Sequence, residues 1–373
     1  MSGRTEGFAF RLRARDGRAR VGEVITPRGP IPTPAFMPVG TRASVRAVDP
    51  DEVRASGAAI VLGNTYHLML RPGEERIRRA GGLARFMAWD GPTLTDSGGF
   101  QAFSLAGRVR IDDGGVVFAS HIDGARVELT PERAVRVQGA LGSDVAMVLD
   151  ECPPGGASRD AVARAVERTT AWARRQLRVE RPAGQALFAI VQGGVHADLR
   201  RAHIDELCAE SFDGLALGGL SVGEPVAEMY RVLDACADAL PADRPRYLMG
   251  VGTPADILEA VECGVDMFDC VLPSRNGRRG QAFVRGGRLN IKQARYADDG
   301  EPLEPGCPCP TCARFDRRYL RHLFLVGEPL VARLITVHNL FHYGTLTAAI
   351  RAAVRDGRLA ELKRSWLEPR EEP

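Results

Sequence analysis

Short apolar runs rich in β-branched residues recur along the chain, and segments with helical signals separate them. Parallel strands need a helix-length crossover between them, so this alternation predicts a parallel sheet rather than a set of hairpins. Eight consecutive units predict a closed (β/α)8 barrel of the TIM type, which is an α/β fold. The runs lie at residues 34–39, 60–65, 93–96, 145–150, 187–192, 214–217, 247–251 and 267–271.

Three helix starts support this count of strand–helix units. Thr130 and Thr253 are each followed by proline, which places a hydroxyl at the N-cap and a residue without an amide hydrogen at the first helical position. Ser158 opens an amphipathic stretch that runs to about Leu177. We therefore expect helices to begin at these three residues.

Two regions depart from the alternation of strands and helices. Residues 108–130 alternate polar and apolar side chains around two Asp/Gly turns, which predicts antiparallel hairpins inserted after the third strand. Residues 274–312 are rich in glycine, proline and arginine, and helices are expected from about Phe315 to Asp356. The barrel should thus carry one insertion and one C-terminal extension.

Composition narrows the class of protein. Hydrophobic residues make up 45% and charged residues 26% of the chain, which is ordinary for a globular protein with a large core. A long apolar run and a signal-peptide segment are both missing, so we expect a cytoplasmic protein that does not associate with membranes. The net charge of +3 does not by itself indicate a nucleic-acid partner, because phosphate binding depends on local charge.

Polar side chains close several of the predicted strands. Asp96, Asp150 and Asp269 stand at or near the ends of the third, fourth and eighth runs, and Gln192 ends the fifth. Active sites of (β/α)8 barrels lie at the carboxyl ends of the strands, so these groups should face one pocket. Each acid alone could instead cap a helix or bind a loop amide. Together with the glycines after the sixth and seventh runs, they predict a pocket for a planar, donor-rich heterocycle such as guanine.

Three of the eight cysteines form a cluster, whereas the other five are scattered. Cys307, Cys309 and Cys312 together with one histidine would supply the four ligands of a closed, structural zinc site. Scattered cysteines beside one cluster indicate a reducing compartment rather than a disulfide framework. The histidines that follow the cluster are His322, His338 and His342.

Arginine is concentrated after the eighth run. Residues 270–297 contain basic side chains and no acidic one, and a further group of arginines follows the cysteine cluster. Such a stretch of one sign next to the predicted pocket is expected to bind phosphates. A solvated arginine face is the alternative for either group. The basic residues are Arg275, Arg278, Arg279, Arg285, Arg288, Lys292, Arg295, Arg314, Arg317, Arg318 and Arg321.

Three segments resemble the signature segments of tRNA-guanine transglycosylases, namely TDSGGFQ at residues 95–101, GNTYHL at 63–68 and FDCVLP at 268–273. The resemblance extends from about Phe36 to His338, and its motifs follow the family's order near almost every strand end. It implies an enzyme, a pentosyltransferase that exchanges a guanine base within a transfer RNA. Bacterial members of the family are homodimers, which implies a homodimer here.

Replacing a base requires that an N-glycosidic bond be broken at the ribose C1′ and that the leaving base be protonated. Two carboxyl groups can meet both demands, one as nucleophile and one as acid/base, through a covalent intermediate. The residues alone leave open how Asp96, Asp150 and Asp269 share this work. The resemblance implies that Asp269 is the nucleophile and that Asp96 is the general acid/base.

The resemblance also implies which residues hold the base. Phe100 would stack on the heterocycle and Met249 would cover its other face, with an ordinary packing position as the alternative for each. Val222 and Cys152 should narrow the pocket, which favours 7-aminomethyl-7-deazaguanine over the bulkier queuine; the carbonyl of Leu220 would accept from the ammonium group of the smaller base. The implied base-binding set is Asp96, Ser97, Gly98, Gly99, Phe100, Asp150, Gln192, Gly219, Leu220 and Met249.

The implied RNA partner is the anticodon stem-loop of tRNAs with GUN anticodons, modified at wobble position 34 in queuosine biosynthesis. Bases of a single-stranded loop can be splayed out and read by arginine. Among the three histidines the resemblance favours His338 as the fourth ligand of one structural Zn2+ ion per subunit. The implied RNA-binding residues are Gly250, Val251, Gly252, Thr253, Pro254, Ala255 and Asp256 in one loop and Ser274, Arg275, Asn276, Gly277 and Arg278 in another.

These expectations divide the chain into a catalytic barrel at 1–273 with its hairpin insertion near 108–130, an RNA-facing zinc-binding subdomain at 274–345 and a C-terminal helix at 346–373 that closes onto the barrel. A barrel glycoside hydrolase would share the paired carboxylates but would not need the cysteines or the arginines. A non-catalytic RNA-binding relative would not need to retain the three acids. An archaeal type of member would carry a further C-terminal RNA-binding region, which we do not expect here.

Overall fold

A computed structural model describes residues 5–105 and 109–369 of the chain. Its first element, which the sequence analysis did not predict, is an antiparallel sheet of β1 Ala9–Asp16, β2 Ala19–Thr26 and β3 Gly29–Thr33. Phe8 and the buried face of β2 pack into the main core, and Arg20 of β2 binds Asp266, which directly precedes the last barrel strand. The sheet therefore covers the amino-terminal end of the barrel.

The eight predicted parallel strands all form, and they close into a barrel. Every neighbouring pair is parallel, and Gly40 closes the ring because its amide donates to the carbonyl of Leu62 at 2.7 Å. The side chains of these strands are almost all buried, as expected for a parallel sheet covered on both faces. The strands, in chain order, are β4 Ala35–Pro38, β5 Val61–Gly63, β6 Thr93–Thr95, β10 Val145–Met147, β11 Ala186–Val191, β12 Gly214–Leu217, β13 Arg246–Leu248 and β14 Met267–Cys270.

The helices of the described ranges are α1 Pro50–Ala55, α2 Thr65–Leu70, α3 Glu74–Arg79, α4 Leu83–Phe86, α5 Gly99–Leu105, α6 Pro131–Leu141, α7 Arg159–Leu177, α8 Ala197–Cys208, α9 Val226–Ala237, α10 Pro254–Glu262, α11 Leu272–Gly277, α12 Pro310–Arg314, α13 Arg317–Leu325, α14 Leu330–Arg355 and α15 Leu359–Leu367, with one turn of 3₁₀ helix at Ala294–Tyr296. The predicted caps are confirmed, because the hydroxyls of Thr130, Ser158 and Thr253 accept hydrogen bonds from backbone amides at the starts of α6, α7 and α10. Among these helices, none is both long enough and apolar enough to cross a bilayer.

An antiparallel sheet is inserted between β6 and α6, as predicted for the region near 108–130, although Arg108 itself lies outside the described residues. Its strands are β7 Val109–Asp112, β8 Gly115–Ala119 and β9 Arg126–Leu129. Phe118 and Leu129 of this sheet form a separate core cluster with Tyr66 of α2 and Trp172 of α7. The insertion therefore packs against the segment that follows β5, close to the carboxyl ends of the barrel strands.

The C-terminal region contains a hairpin of β15 Gln281–Val284 and β16 Gly287–Asn290, followed by α12 to α15. Helix α14 joins this region to the barrel, because its first half carries His338 whereas Leu346 and Ile350 belong to the main core. The helix runs without a break through residues 345 and 346, where we expected a boundary between two regions. The division of the chain into three regions stays a prediction. Residues 370–373 of the last predicted region lie outside the described residues.

Candidate active site and metal centre

Asp96, Asp150 and Asp269 lie at the carboxyl ends of barrel strands. Asp96 directly follows β6, Asp150 comes shortly after β10, and Asp269 is the last residue but one of β14. Their charges act on one another, because the negative charge of Asp269 raises the pKa of Asp96 and that of Asp96 raises the pKa of Asp150. The fold thus gathers three acids from distant parts of the chain at the mouth of the barrel.

Asp96 is a buried carboxylate held by three hydrogen-bond donors. Its Oδ1 atom accepts from the backbone amide of Thr65 at 2.8 Å, and its Oδ2 atom accepts from the side-chain amides of Asn64 and Gln101, the latter at 2.9 Å. Burial raises the pKa of Asp96 to about 6, although these hydrogen bonds favour the charged form. A carboxyl group with such a pKa can take up and release a proton near neutral pH.

Asp150 is the second buried acid of the pocket, and Gln192 holds it. The side-chain amide of Gln192 donates to Oδ2 of Asp150 at 2.6 Å, and burial raises the pKa of Asp150 to about 6. The backbone amide of Gln192 donates to Nδ1 of His203, and burial lowers the pKa of this histidine to about 4. The Oε1 atom of Gln192 is buried and has no hydrogen-bond partner among the described residues, which is uncommon for a buried polar atom.

Asp269 differs from Asp96, which is held through both oxygens, because its hydrogen bonds from the described residues all go to one oxygen. Its Oδ1 atom accepts from the hydroxyl of Tyr247 at 2.6 Å and from the backbone amide of Gly250 at 2.7 Å. Its Oδ2 atom accepts no hydrogen bond from the described residues. Burial raises the pKa of Asp269, and these two donors act in the opposite direction. One carboxylate oxygen is therefore anchored while the other can react.

Four of the predicted base-binding residues follow Asp96 directly: Ser97 and Gly98 form the turn before α5, and Gly99 and Phe100 begin that helix. Ser97 is buried, and Gly98 has a φ of +81° with its Cα so close to α2 that a Cβ there would lie 3.1 Å from the amide nitrogen of Tyr66. This turn therefore requires glycine. Phe100 has 50% of its surface exposed, which excludes the alternative of an ordinary core position. Its stacking on a base stays a prediction.

The loop after β12 lies against the same side of the pocket. Gly219 has a φ of +62°, and a Cβ there would lie 2.3 Å from Oε1 of Gln192, so its backbone is in close contact with that side chain. Leu220 is buried in the main core, and Met249 of the next loop packs partly against it. The packing that we gave as the alternative for Met249 is thus observed, and contact of either residue with a base stays a prediction.

The sequence analysis missed several residues that hold this pocket together. The rule for polar residues at strand ends could have identified Asn64, because it directly follows β5. Tyr247 lies inside β13, where its position in the pattern is that of a core residue. Glu224 accepts hydrogen bonds from the amides of Ser221 and Val222, the second at 3.0 Å. A short-range contact of this kind leaves no periodic signal in the sequence.

Cys307, Cys309, Cys312 and His338 form a group that could hold a metal ion. Their ligand atoms all lie within 4.8 Å of one another, and Nδ1 of His338 is 3.3 to 3.6 Å from the three sulfur atoms. The other ring nitrogen, Nε2, lies 2.8 Å from the carbonyl oxygen of Phe283. A proton on Nε2 donated to this carbonyl leaves Nδ1 as the free ligand atom, which is the usual arrangement for a metal-binding histidine.

The structure also decides between the three histidine candidates. His342 lies one turn after His338 on α14, but its Nδ1 atom faces Oε2 of Glu304 at 3.3 Å. His322 is exposed on α13 and does not belong to the group. The fold therefore supports His338, which the family resemblance favoured.

Arginine side chains lie together beside the pocket. Arg275 on α11 is exposed, and the pKa of Arg278 is lowered by burial and by the nearby positive charges of Arg46, Arg275 and Arg279. Arg46 belongs to the loop after β4 and was missed by the sequence analysis. A cluster of like charges is unfavourable in the free protein, so an anionic partner would relieve the repulsion.

The other predicted RNA-binding residues are less accessible. Ser274 and Asn276 are buried, and a Cβ on Gly277 would lie 2.4 Å from Oγ1 of Thr336, so this face of α11 packs against α14. In the loop 250–256, Gly250 is exposed, whereas Val251 and Gly252 are buried. The remaining four residues, Thr253 to Asp256, form the capped start of α10, where Thr253 and Asp256 exchange hydrogen bonds.

The fold and the site together define a class of protein. A closed parallel barrel whose mouth gathers buried, proton-accepting carboxylates is the architecture of a barrel enzyme. The arginine cluster next to that mouth suits a polyanionic substrate. The Cys3His group that could hold a metal ion stands apart from the acids in sequence and belongs to the C-terminal region.

Comparison with known proteins identifies the family. The sequence profile described as "Queuine tRNA-ribosyltransferase" matches residues 16–372. Proteins of that name are 58% identical over 365 residues in Sorangium cellulosum (98% of this chain, 92% of that protein), 54% over 364 residues in Syntrophobacter fumaroxidans (97% and 98%) and 53% over 358 residues in Novosphingobium aromaticivorans (95% and 96%). The chain belongs to the queuine tRNA-ribosyltransferase family, as the three sequence motifs indicated.

Proposed function

We propose that this protein is a tRNA-guanine transglycosylase that replaces guanine at wobble position 34 of tRNAs with GUN anticodons by 7-aminomethyl-7-deazaguanine, a step of queuosine biosynthesis in the cytoplasm. Membership of the family supports the reaction class. The observation that carries the mechanism is the environment of Asp269, whose Oδ1 atom is anchored by two donors while its Oδ2 atom is free, close to the raised-pKa carboxyl of Asp96.

In the first half of the reaction, Oδ2 of Asp269 attacks the ribose C1′ of the target nucleoside. The new C1′–O bond forms as the bond from C1′ to the base nitrogen breaks, and the electron pair of that bond leaves with guanine. The departing base takes a proton from Asp96, whose pKa of about 6 makes it a competent acid near neutrality. The product is an ester between Asp269 and the RNA.

In the second half, a nitrogen of the incoming base attacks C1′ and displaces the Asp269 carboxylate. The incoming nitrogen loses its proton to Asp96, which restores both acids to their starting states. Two inversions at C1′ give overall retention, as in retaining glycosidases. Base exchange instead of hydrolysis requires that the incoming base, and not water, reaches C1′. The buried positions of Asp96 and Asp150 favour exchange because they limit the access of water to the pocket.

Asp150, Gln192 and the backbone of Gly219 recognise the base. Guanine carries two adjacent N–H donors and a carbonyl oxygen on one edge, so it needs an acceptor next to a donor. The carboxylate of Asp150 supplies the acceptor, and the main chain at Gly219 supplies the donor. The narrowing of the pocket by Val222 and Cys152, with an acceptor at the Leu220 carbonyl, selects the small aminomethyl base over queuine.

The arginine cluster binds the anticodon stem-loop. Arg275 and Arg278 approach the phosphates or bases next to position 34, and Arg46 and Arg279 add positive charge from either side. We further propose that two copies of the chain associate. Association would cover exposed apolar side chains in this part of the chain, which are Tyr319 and Leu325 on α13, Val326 directly after it and Leu330 at the start of α14.

We propose that the Cys3His group of the C-terminal region binds one Zn2+ ion. Three thiolates and one imidazole match the donor preference of zinc, so Cys307, Cys309, Cys312 and His338 would supply four protein ligands to the ion. No ligand position is then left for substrate, so the metal stabilises the fold and does not take part in the chemistry. Through these four residues the ion would link the loop before α12 to α14, and α14 packs against the barrel.

The test is incubation of the protein with unmodified tRNA that has guanine at position 34, labelled guanine and the aminomethyl base, followed by analysis of the nucleosides. Incorporation of the aminomethyl base at that position is expected. Asp269→Asn should abolish incorporation and the covalent RNA adduct on a denaturing gel, with near-normal RNA binding, whereas Asp205→Asn on the exposed surface of α8 should change neither.

Two other results would contradict the proposal and indicate a different function. Release of free guanine without incorporation would indicate a hydrolase, and RNA binding without any exchange would indicate a non-catalytic relative. Incorporation of queuine as efficiently as the aminomethyl base would overturn the assigned base preference alone.

A further inference from the structure

Arg200 is a fully buried arginine on α8, directly behind the loop that follows β12. Among the described residues its guanidinium donates only to backbone carbonyls. The Nε atom donates to Gly194 at 2.7 Å, Nη1 donates to Val191 at 3.3 Å, and Nη2 donates to Gly218 at 2.8 Å and to Gly219 at 3.3 Å. A buried positive charge is costly, so a side chain placed here without a carboxylate in contact calls for an explanation.

Arg20 at the other end of the barrel shows a more usual arrangement for a buried arginine. It is equally buried, but it forms two hydrogen bonds with the carboxylate of Asp266 at 3.1 and 2.6 Å in addition to bonds with backbone carbonyls. Arg200 has no ion pair of this kind among the described residues. Burial lowers the pKa of Arg200 to about 10, which leaves it charged at neutral pH. The charged guanidinium therefore orients the backbone carbonyl groups that it contacts.

The carbonyls of Gly218 and Gly219 determine where the next two amides point. In a planar trans peptide the carbonyl oxygen and the following amide hydrogen lie on opposite sides, and the cis peptides found in the described residues are elsewhere. Because both oxygens face Arg200, the amide hydrogens of Gly219 and Leu220 point away from it. Neither amide has an acceptor among the described residues. Two adjacent, free N–H groups of this kind bind an electron-rich oxygen.

At its other end, the loop after β12 is held by a negatively charged side chain, Glu224. The Glu224 carboxylate accepts from the amides of Ser221 and Val222, and its charge attracts Arg200. Arg200 thus fixes carbonyl groups at the start of the loop, and Glu224 fixes amide groups at its end. Ser221 is held at a φ of +59°, a conformation that a residue other than glycine rarely adopts, which agrees with a loop whose peptide orientations are imposed by these contacts.

We propose that Arg200 is a positioning residue for base recognition, which turns the Gly219 and Leu220 amides toward the carbonyl oxygen of the bound purine. The inference rests on the proposed function, because it concerns the base held in the same pocket by Asp150 and Gln192. Arg200 itself does not touch the base. Its effect should therefore depend on whether the base carries a carbonyl oxygen for these amides to bind.

The experiment compares the dissociation constants of guanine and 2-aminopurine, which lacks that oxygen, by equilibrium dialysis with labelled bases. Arg200→Lys keeps a positive charge but loses the planar fork that holds two carbonyls at once. We expect it to weaken guanine binding by about tenfold, the worth of one buried hydrogen bond, and to leave 2-aminopurine binding almost unchanged. Arg20→Lys is the matched control, because it alters an equally buried arginine at the far end of the barrel.

If Arg200→Lys weakens the binding of both bases to the same extent, its role is a general structural one and the inference is overturned. The inference is also overturned if Arg200→Lys and Arg20→Lys change the preference for guanine equally. Arg200→Gln, which retains an N–H donor without charge, serves as second variant if the lysine variant does not fold. Failure of both Arg200 variants to fold would place the residue in the framework of the barrel and would also count against a role in recognition. Base exchange by the wild type is measured separately, so failure of the proposed function is recognised independently.

Discussion

The hydroxyl of Tyr247 donates to Oδ1 of Asp269 across neighbouring barrel strands, at 2.6 Å. Tyr247 is buried, and burial together with the negative charge of Asp269 raises its pKa well above the ordinary value for tyrosine, so it remains a neutral donor throughout the working pH range. A fixed donor on one oxygen does two things for a carboxylate nucleophile. It stabilises the charged form, and it stops the carboxylate from rotating, which keeps Oδ2 directed at its target.

Removal of this donor should slow the reaction and shift its pH dependence. In Tyr247→Phe the charged form of Asp269 loses one hydrogen bond, so the pKa of Asp269 rises further, and a higher pH is needed to ionise the nucleophile. We expect kcat/KM at neutral pH to fall about tenfold to a hundredfold, and the acidic limb of the pH profile to move to higher pH. The profile of base exchange against pH measures both effects.

Tyr230→Phe is the matched control for this variant. Tyr230 also donates its hydroxyl to an aspartate, at 2.7 Å from Oδ1 of Asp256, but that acid caps α10 and is not one of the three pocket carboxylates. An equal shift of the acidic limb in Tyr230→Phe, or an unshifted limb in Tyr247→Phe, would contradict the assignment of Asp269 as the ionised nucleophile.

The buried carboxylate of Asp150 should make the protein less stable at alkaline pH than at acidic pH. Its pKa of about 6 in the folded protein exceeds the value of 3.8 for a free aspartate, so the folded state binds the proton more tightly than the unfolded state. The stabilising effect of protonation is complete below about pH 4 and is lost as the pH rises through 6. Asp150→Asn avoids the charged form, and its free energy of unfolding at pH 8 should exceed that of the wild type by about 1 to 3 kcal/mol.

Urea denaturation of both proteins at pH 8 and at pH 5 tests this expectation, and the difference should shrink at the lower pH. Base exchange should be lost in Asp150→Asn although the protein is more stable. The contrasting variant is Asp266→Asn, which removes the carboxylate partner of the buried Arg20 and should destabilise the fold by about 3 to 5 kcal/mol. Destabilisation by Asp150→Asn at pH 8 would mean that the hydrogen bond from Gln192 outweighs the cost of burying the charge.

Arg275→Ala and Arg278→Ala should weaken the binding of an anticodon hairpin. Each substitution removes a positive charge next to the barrel mouth, so the affinity should fall about tenfold at moderate salt, and the slope of affinity against salt should decrease by about one per lost phosphate contact. Fluorescence titration of a labelled hairpin at several salt concentrations gives both quantities. Arg178→Ala is the control, because Arg178 is exposed after α7 at the opposite end of the barrel. Equal losses in all three variants would indicate only a general effect of net charge.

The sequence predicted the barrel well because strand burial leaves a periodic signal. All eight strands and the three capped helices form where the apolar runs and hydroxyl residues placed them, and the strand-end rule found Asp96, Asp150 and Asp269. The N-terminal sheet was missed for a physical reason. Strand β1 is mostly exposed and carries arginines at 11, 13 and 15, so its hydrophobic signal is weak, and it is a strand only because β2 pairs with it.

Side-chain partners within the site were harder to predict than the acids themselves. The bond from Tyr247 to Asp269 joins two neighbouring strands, and it depends on the direction of one side chain rather than on any spacing in the chain. The same is true of Arg200, which looks like an ordinary helix residue until the carbonyls of two strand ends are seen around it. Tertiary contacts of this kind cannot be obtained from a one-dimensional pattern.

Substitution of one cysteine in the Cys3His group should distinguish a structural ion from a catalytic one. Cys309 is buried, caps α12 and lies 3.6 Å from Nδ1 of His338, so Cys309→Ser should remove a ligand without removing the cap. We expect loss of bound zinc by elemental analysis, a lower unfolding temperature, and loss of activity only to the extent that folded protein is lost. Cys208→Ser, at the end of α8, should retain the metal.

The ratio of activity to folded protein decides the outcome. A structural ion contributes to the folding free energy, so chelation should lower the unfolding temperature and the exchange rate together, and the residual rate per folded molecule should stay constant. A catalytic ion would instead need an open coordination position, and its removal would abolish exchange in protein that remains folded. Since the three sulfur atoms and Nδ1 of His338 lie within 4.8 Å of one another and offer four protein ligands, we expect the first result.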